Sequence, residues 1–252
     1  MTSKARIGNR ILGLLLRTLP KDLKRRLGVH LGAPDVRWSL TQLRRFGFVP
    51  EHVLDVGAFK GDWTRICLNV FPDANITSVE PQDVAQEELK KLASEHPNVK
   101  VIQTLLGSSV RDNVPFDEIG SGSSLLFNYQ GKTTRPMTTI NRLIENGVCK
   151  PPELLKLDTQ GYELELLEGY TNRFDACQVI QIEISLLPIV QGAALLHEVV
   201  SYLYGRGFVM FDVNELIRAP SDGAVWQIDA FFCRVDSQLR SDRIWGKKTS
   251  NI

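Results

Sequence analysis

From residue 52 onward the chain keeps returning to short apolar or β-branched runs separated by amphipathic stretches, and this alternation limits its fold most sharply. "HVLDV", "NITSV", "NVKVIQTLLG", "PELLKLD" and "CQVIQIEIS" read as five strands. Between them, "DWTRICLNVF", "VAQEELKKLASEH", "TTINRLIENG" and "YELELLEGY" have helical spacing. Strands alternating with helices build βαβ units and a mostly parallel sheet. After the helix "GAALLHEVVSYLYGRG", the strands "FVMFDV" and "VWQIDAFFCRV" have only a loop between them. That connection predicts an antiparallel hairpin at the sheet edge. Residues 107–137 are the least regular and read as short strands or a lid. Neither a repeat nor a low-complexity linker divides residues 52–235.

Residues 53–63, "VLDVGAFKGDW", end the first strand in an acid and a glycine-punctuated turn, the place where a doubly wound sheet binds ligands. The spacing Asp55-x-Gly57-x-x-x-Gly61 is one residue too short for a P-loop, and Asp62 follows it. It also lacks the glycine that lets a backbone approach a pyrophosphate, because Phe59 stands in the gap. Bulk and negative charge together oppose a pyrophosphate, whereas an acid near the turn suits a ligand carrying an ammonium.

Glu80 ends the second strand, where an acid accepts the two hydroxyls of a ribose. An adenosine without phosphates but with an amino-acid tail is S-adenosylmethionine. Ala58 in the loop, Pro81 after the acid and Leu106 closing the third strand complete the expected cofactor wall. Asp158 ends the fourth strand and enters the same crevice, and Gly161 permits a tight turn after it. The competing role for Asp158 is a helix N-cap. Glu183 is a third acid on that edge, and a carboxylate inside so apolar a strand is costly unless paired or used.

Methyl transfer is an in-line displacement, so positioning should supply most of the catalysis. A weakly acidic acceptor group needs help to lose its proton. Asp158 and Glu183 are the candidate catalytic residues, either as bases or as oxygen ligands for a divalent cation. His197 is the alternative base, although its helical setting suits a surface residue. Trp226 and Asp229 in the last strand, and Ser123 and Ser124 in the irregular segment, are the candidate acceptor contacts.

"LDVGAFKGDWT", "SVEP", "SSL" at 123–125, "LKLDTQGYELELLEG" and "IQIEIS", followed by "GF" near 207, together resemble the FkbM family of S-adenosylmethionine-dependent methyltransferases. The resemblance covers about residues 50–235, and its D-x-x-G-Y/A-E element is the most specific part. Family members usually carry Asn at the position of Phe59 and Glu at that of Gln160. The resemblance implies a Rossmann-like class I methyltransferase, an α/β fold with a mostly parallel seven-stranded sheet. It further implies O-methylation of a sugar or polyketide hydroxyl in a surface-glycan or natural-product pathway.

Charge is distributed unevenly. The whole chain carries a net +1, yet residues 1–50 hold eleven Lys/Arg against Asp22 and Asp35. Ile7, Ile11, Leu15, Leu19, Leu23 and Leu27 recur every four residues and give this part an apolar face. The expected organisation is a basic amphipathic helical extension over 1–50, a methyltransferase domain over 51–236 and a polar tail over 237–252. The apolar run Ile11–Leu16 is far short of the ~20 residues needed to span a bilayer. A basic amphipathic helix can instead lie on an anionic membrane surface, placing the protein in the cytoplasm or at the inner membrane face.

Nucleic acid is a weaker partner for this segment. Its aromatics Trp38, Phe46 and Phe48 all come late and do not interleave with the charge. "LDTQG" also lacks the N-P-P-Y-like element of base N-methyltransferases. An RNA methyltransferase and a non-catalytic cofactor-binding scaffold remain the competing readings. Cys67, Cys149, Cys177 and Cys233 are widely spaced without a C-x-x-C pair, which fits free thiols in a reducing compartment.

Overall fold

The computed structural model describes residues 18–20, 23, 34–116, 118, 120, 125, 133–219 and 221–241. Most of the basic amphipathic segment, together with Ser123 and Ser124, therefore lies outside the described residues.

Helix α1 (Val36–Arg45) begins where the Asp35 carboxylate accepts a hydrogen bond from Trp38 N at 3.0 Å, an N-cap. Val36, Ser39, Leu40 and Leu43, spaced 3, 1 and 3 residues apart, form its buried face. Strand β1 (His52–Val56) leads into helix α2 (Asp62–Val70), strand β2 (Asn75–Val79) and helix α3 (Gln86–Glu95). Strand β3 (Val99–Ile102) completes this half.

The chain then leaves the main sheet. Strands β4 (Leu105–Leu106), β5 (Arg111–Phe116) and β6 (Thr133–Thr138) form a second, three-stranded sheet in the order β4-β6-β5. The single third strand expected over "NVKVIQTLLG" is thus two strands. They are separated at Gln103, whose side-chain amide donates to Asp83 Oδ1 at 2.6 Å. Leu105, Val114, Phe116 and Met137 bury one another beneath this small sheet. Leu105 turns into that cluster, while Leu106 packs into the core of the main sheet.

Helix α4 (Ile140–Glu145), strand β7 (Leu154–Leu157), helix α5 (Glu163–Glu168), strand β8 (Val179–Ser185) and helix α6 (Leu196–Gly205) follow. Strands β9 (Phe208–Arg218) and β10 (Val225–Arg234) close the domain. The main sheet has seven strands in the order β3-β2-β1-β7-β8-β10-β9. All neighbours pair in parallel except β10, which is antiparallel to both β8 and β9. This is the class I methyltransferase arrangement, and the expected edge hairpin is present.

Among the described residues, each face of the sheet is covered by three helices. One core joins α4, α5 and α6 to residues such as Leu155, Ile180 and Phe232. The other joins α1, α2 and α3 to Val53, Leu154 and Phe231. Helix α1 is tied to the far edge as well: Ser39 Oγ donates to Asp212 Oδ2 at 2.7 Å and accepts from Asn214 Nδ2 at 3.0 Å. The order of connection reverses between β1 and β7, and that switch point opens the crevice in which the site lies.

Candidate active site

A cavity of about 320 Å³ lies at the carboxyl ends of β1, β2 and β7. Its floor is the turn after β1. Gly57 and Gly61 take φ of +75° and +81°, a region open to glycine at little cost. Gly57 also passes so near β7 that a Cβ there would stand 1.8 Å from the Asp158 carbonyl oxygen. Phe59 has φ of +42°, an uncommon conformation for so bulky a residue. Its backbone N–H is consequently aimed at Glu80 Oε2, 2.8 Å away.

Glu80 is 2% exposed and lines the cavity. Its other oxygen accepts from Gln82 N at 3.0 Å, so each carboxylate oxygen holds one backbone donor. Burial raises the Glu80 carboxyl above the usual range, opposed by those same hydrogen bonds. Pro81, Ala58, Gly57, Phe59, Leu106 and Asp158 stand in the cavity wall. Leu105 and Phe116 of the small sheet, with Leu125 packed against its apolar cluster, add an apolar side.

Asp55 is placed differently. It is fully buried beneath the loop and is absent from the cavity wall. Its Oδ2 accepts from Thr64 Oγ1 at 2.6 Å, and its Oδ1 lies 3.1 Å from Lys156 Nζ. Lys156 also donates to the Gly57 carbonyl at 2.8 Å and approaches Asp158 Oδ2 at 3.4 Å. One ammonium with three protons thus joins the β1 turn, the acid beneath it and the acid at the end of β7. Burial alone would lower its pKa, but Asp55 and Asp158 hold it above the usual lysine value. Lys156 was not among the expected site residues. The signal was available: a lone charge in "LLKL" is as anomalous as Glu183 in its own strand.

Beyond Asp158 the side chains converge. Gln160 Nε2 donates to Asp158 Oδ1 at 3.2 Å and to Glu183 Oε2 at 2.9 Å. Gln227 Nε2 donates to the same Glu183 oxygen at 3.1 Å. Burial, reinforced by Asp158, Glu163 and Asp229, pushes Glu183 up to about 9. Glu183 stands behind the cavity wall and reaches it through Gln160. Asp229 is in the wall, accepts from Gln181 Nε2 at 3.0 Å, and is pushed up to about 7 by burial and by Asp158 and Glu215. Glu163, which accepts from the backbone N–H groups of Thr159 and Gly161, braces the turn from below.

The remaining expected contacts separate. Trp226 lies outside the cavity wall, at an irregularity of β10 between Val225 and Gln227. His197 is exposed on α6 and also lies outside the wall. Among the described residues, no three His, Cys, Asp or Glu side chains are grouped to hold a metal ion. Nor is any described helix long and apolar enough to cross a membrane.

An acid at the end of β2, a glycine turn at the switch point and an acid at the end of β7 form the site on one contiguous stretch of chain. Residues 55–210 of that stretch match the family described as Methyltransferase FkbM domain, which is more than half of the chain. The chain belongs to this family.

Two curated relatives share part of the FkbM region. Over 132 residues the chain is 26% identical to the hexuronic acid methyltransferase AglP of Haloferax volcanii, covering 52% of this chain and 54% of that one. Over 122 residues it is 32% identical to the malonyl-[acyl-carrier protein] O-methyltransferase of Halalkalibacterium halodurans, covering 46% and 42%. The chain therefore spans about half the length of the curated relatives it matches. Among solved structures, the FkbM methyltransferase of Methylobacillus flagellatus superposes with a TM-score of 0.49 at 16% identity, covering 71% of this chain and 43% of that one.

Proposed function

We propose that this FkbM protein is an S-adenosylmethionine-dependent O-methyltransferase whose acceptor is a sugar hydroxyl on a glycan or glycosylated small molecule. The observation that carries the reading is Glu80. Both of its oxygens are steadied by backbone N–H groups while the carboxylate lines the cavity, which leaves acceptor sites for a pair of ribose hydroxyls. The charges in the wall agree with a cationic ligand. Among the described wall residues, Asp62, Glu80, Asp158, Glu215 and Asp229 face Lys60 and Lys156. Both lysines are already paired, with Glu88 at 2.9 Å and with Asp55.

S-adenosylmethionine, when bound, supplies a methyl group on an electrophilic sulfonium. Leu105, Leu106 and Phe116 offer an apolar surface for its base, and the Gly57–Gly61 turn offers backbone groups to its tail. Asp158, held beside Lys156, is the group suited to accept the acceptor's proton. The sugar class rests on the hexuronic acid methyltransferase relative and the acid-rich wall near Asp229.

Calorimetric titration with S-adenosylmethionine should show binding that Glu80→Ala weakens more than about tenfold, the range expected for hydrogen bonds to a charged group. Methyl-labelled cofactor offered to a panel of sugars, nucleotide sugars and RNA should label sugars. Absence of cofactor binding overturns the proposal. Label in RNA alone would move the protein to the nucleic-acid class.

A further inference from the structure

The turn after β7 carries a feature that cofactor binding leaves unexplained. Gln160 has φ of +57°, in the left-handed region that glycine enters far more readily, and Gly161 follows at φ of +102°. A glutamine kept in that conformation points to a use for its side chain. That side chain spends its two amide protons on two different acids, Asp158 Oδ1 on β7's end and Glu183 Oε2 on β8.

The contacts around it are complementary. Asp158 is held at Oδ1 by Gln160 and at Oδ2 by Lys156. Glu183 Oε2 receives both Gln160 and Gln227, while Oε1 takes no hydrogen bond from a described residue. A carboxylate at position 160 could offer no proton to either neighbour unless it were itself protonated. An apolar side chain would remove the amide bridge that now joins the two acids.

We propose that Gln160 is a positioning residue for methyl transfer: its amide fixes the spacing and orientation of the Asp158 and Glu183 carboxylates by giving one N–H to each. The proposal rests on the O-methyl-transfer reading for its catalytic meaning, but the clamp itself is a property of the free protein. Other titratable or charged groups bear on the pair from every side. They are Lys156 and Asp55 on β7 and β1, Glu163 on α5, Glu215 on β9 and Asp229 on β10.

The test reads the acids directly. Carboxyl carbons of Asp and Glu are followed by 13C NMR against pH in the free protein, with Asp158 and Glu183 assigned by Asp158→Asn and Glu183→Gln. Gln160→Gly removes the amide while relaxing the backbone, so it separates the clamp from the turn. Losing a donor to an ionised carboxylate raises its midpoint, so the Glu183 resonance should titrate about one pH unit higher. Gln160→Glu should raise it further, because a third acid joins the pair. With the sugar acceptor found in the panel, Gln160→Gly should lower kcat about tenfold or more with cofactor affinity within roughly threefold of wild type.

Unchanged titration midpoints in both variants would overturn the clamp, and an unchanged kcat would overturn its role in turnover. If no acceptor is methylated by the wild-type protein, the O-methyl-transfer reading fails instead. The titration then still decides whether Gln160 sets the two acids.

Discussion

The Asp158 carbonyl oxygen lies directly over Gly57, close enough that one added methyl carbon would stand 1.8 Å from it. The two loops that frame the cavity are therefore interlocked backbone to backbone. Gly57→Ala must push β1's turn away from β7 and also adopt a positive φ, which costs about 1–2 kcal/mol before any clash is counted. We expect a loss of about 2–4 kcal/mol and a Tm lower by roughly 5–10 °C, with cofactor binding lost at the temperature where the variant is folded. A variant with wild-type Tm and affinity would show that the interlock is dispensable.

Lys156 is nearly inaccessible and neutralises Asp55, which is fully buried. Lys156→Met keeps the length but leaves that carboxylate without its cation, a change that costs about 3–5 kcal/mol when one partner of a buried pair is removed. Because Lys156 titrates above the ordinary lysine value, the wild-type pairing is fully present below about pH 10.5 and weakens only in stronger alkali. Urea denaturation of both proteins at pH 7 checks the magnitude. Lys156→Met combined with Asp55→Leu should recover part of the loss.

Acid stability should run opposite to the usual trend. Burial lifts Glu163 to about 7, Asp229 to about 7 and Glu183 to about 9. The folded protein thus keeps protons that the unfolded chain gives up from about pH 4 upward, so stability falls as pH rises from there through 7 and on toward 9. Tm measured from pH 5 to pH 9 should decline by several degrees. Asp229→Asn should flatten the part of the curve below pH 7, and a rising curve in the wild type would contradict these buried acids.

Ser39 joins helix α1 to the last strand pair through Asp212 and Asn214. Ser39→Ala removes a partner from the buried Asn214 and from the half-buried Asp212, at an expected cost of about 1–3 kcal/mol. Since Val36 of the same helix lines the cavity, hydrogen exchange at residues 36–45 should accelerate in this variant. Protection equal to wild type would mean that the apolar face of α1 suffices on its own.

The alternation of strands and helices was readable because each element buries a face whose period survives in the sequence. Glu80 was readable for a similar reason, since it follows directly on its strand. Asp55 was misleading at the level of the cavity: its neighbours in sequence suggest a loop acid, whereas its partner Lys156 is about a hundred residues away. The strands β5 and β6 of the small sheet were legible only as the alternative to a lid. "RDNVPF" and "TTRPMT" expose most of their side chains and alternate only weakly. Trp226 was hard to place because β10 is irregular between Val225 and Gln227, and such a break cannot be read from alternation. The expected boundary at residue 50 falls just after α1, a helix that buries Leu40 and Leu43 against the sheet.

The four cysteines sit two to a side of the main sheet, Cys67 and Cys233 within one core and Cys149 and Cys177 within the other, all buried. Burial raises the thiols of Cys67, Cys149 and Cys177, which makes them poor nucleophiles while the fold holds. The molecule therefore carries a built-in stopwatch for its own breathing. The order in which a thiol reagent marks the two pairs tells which flank of the sheet opens first.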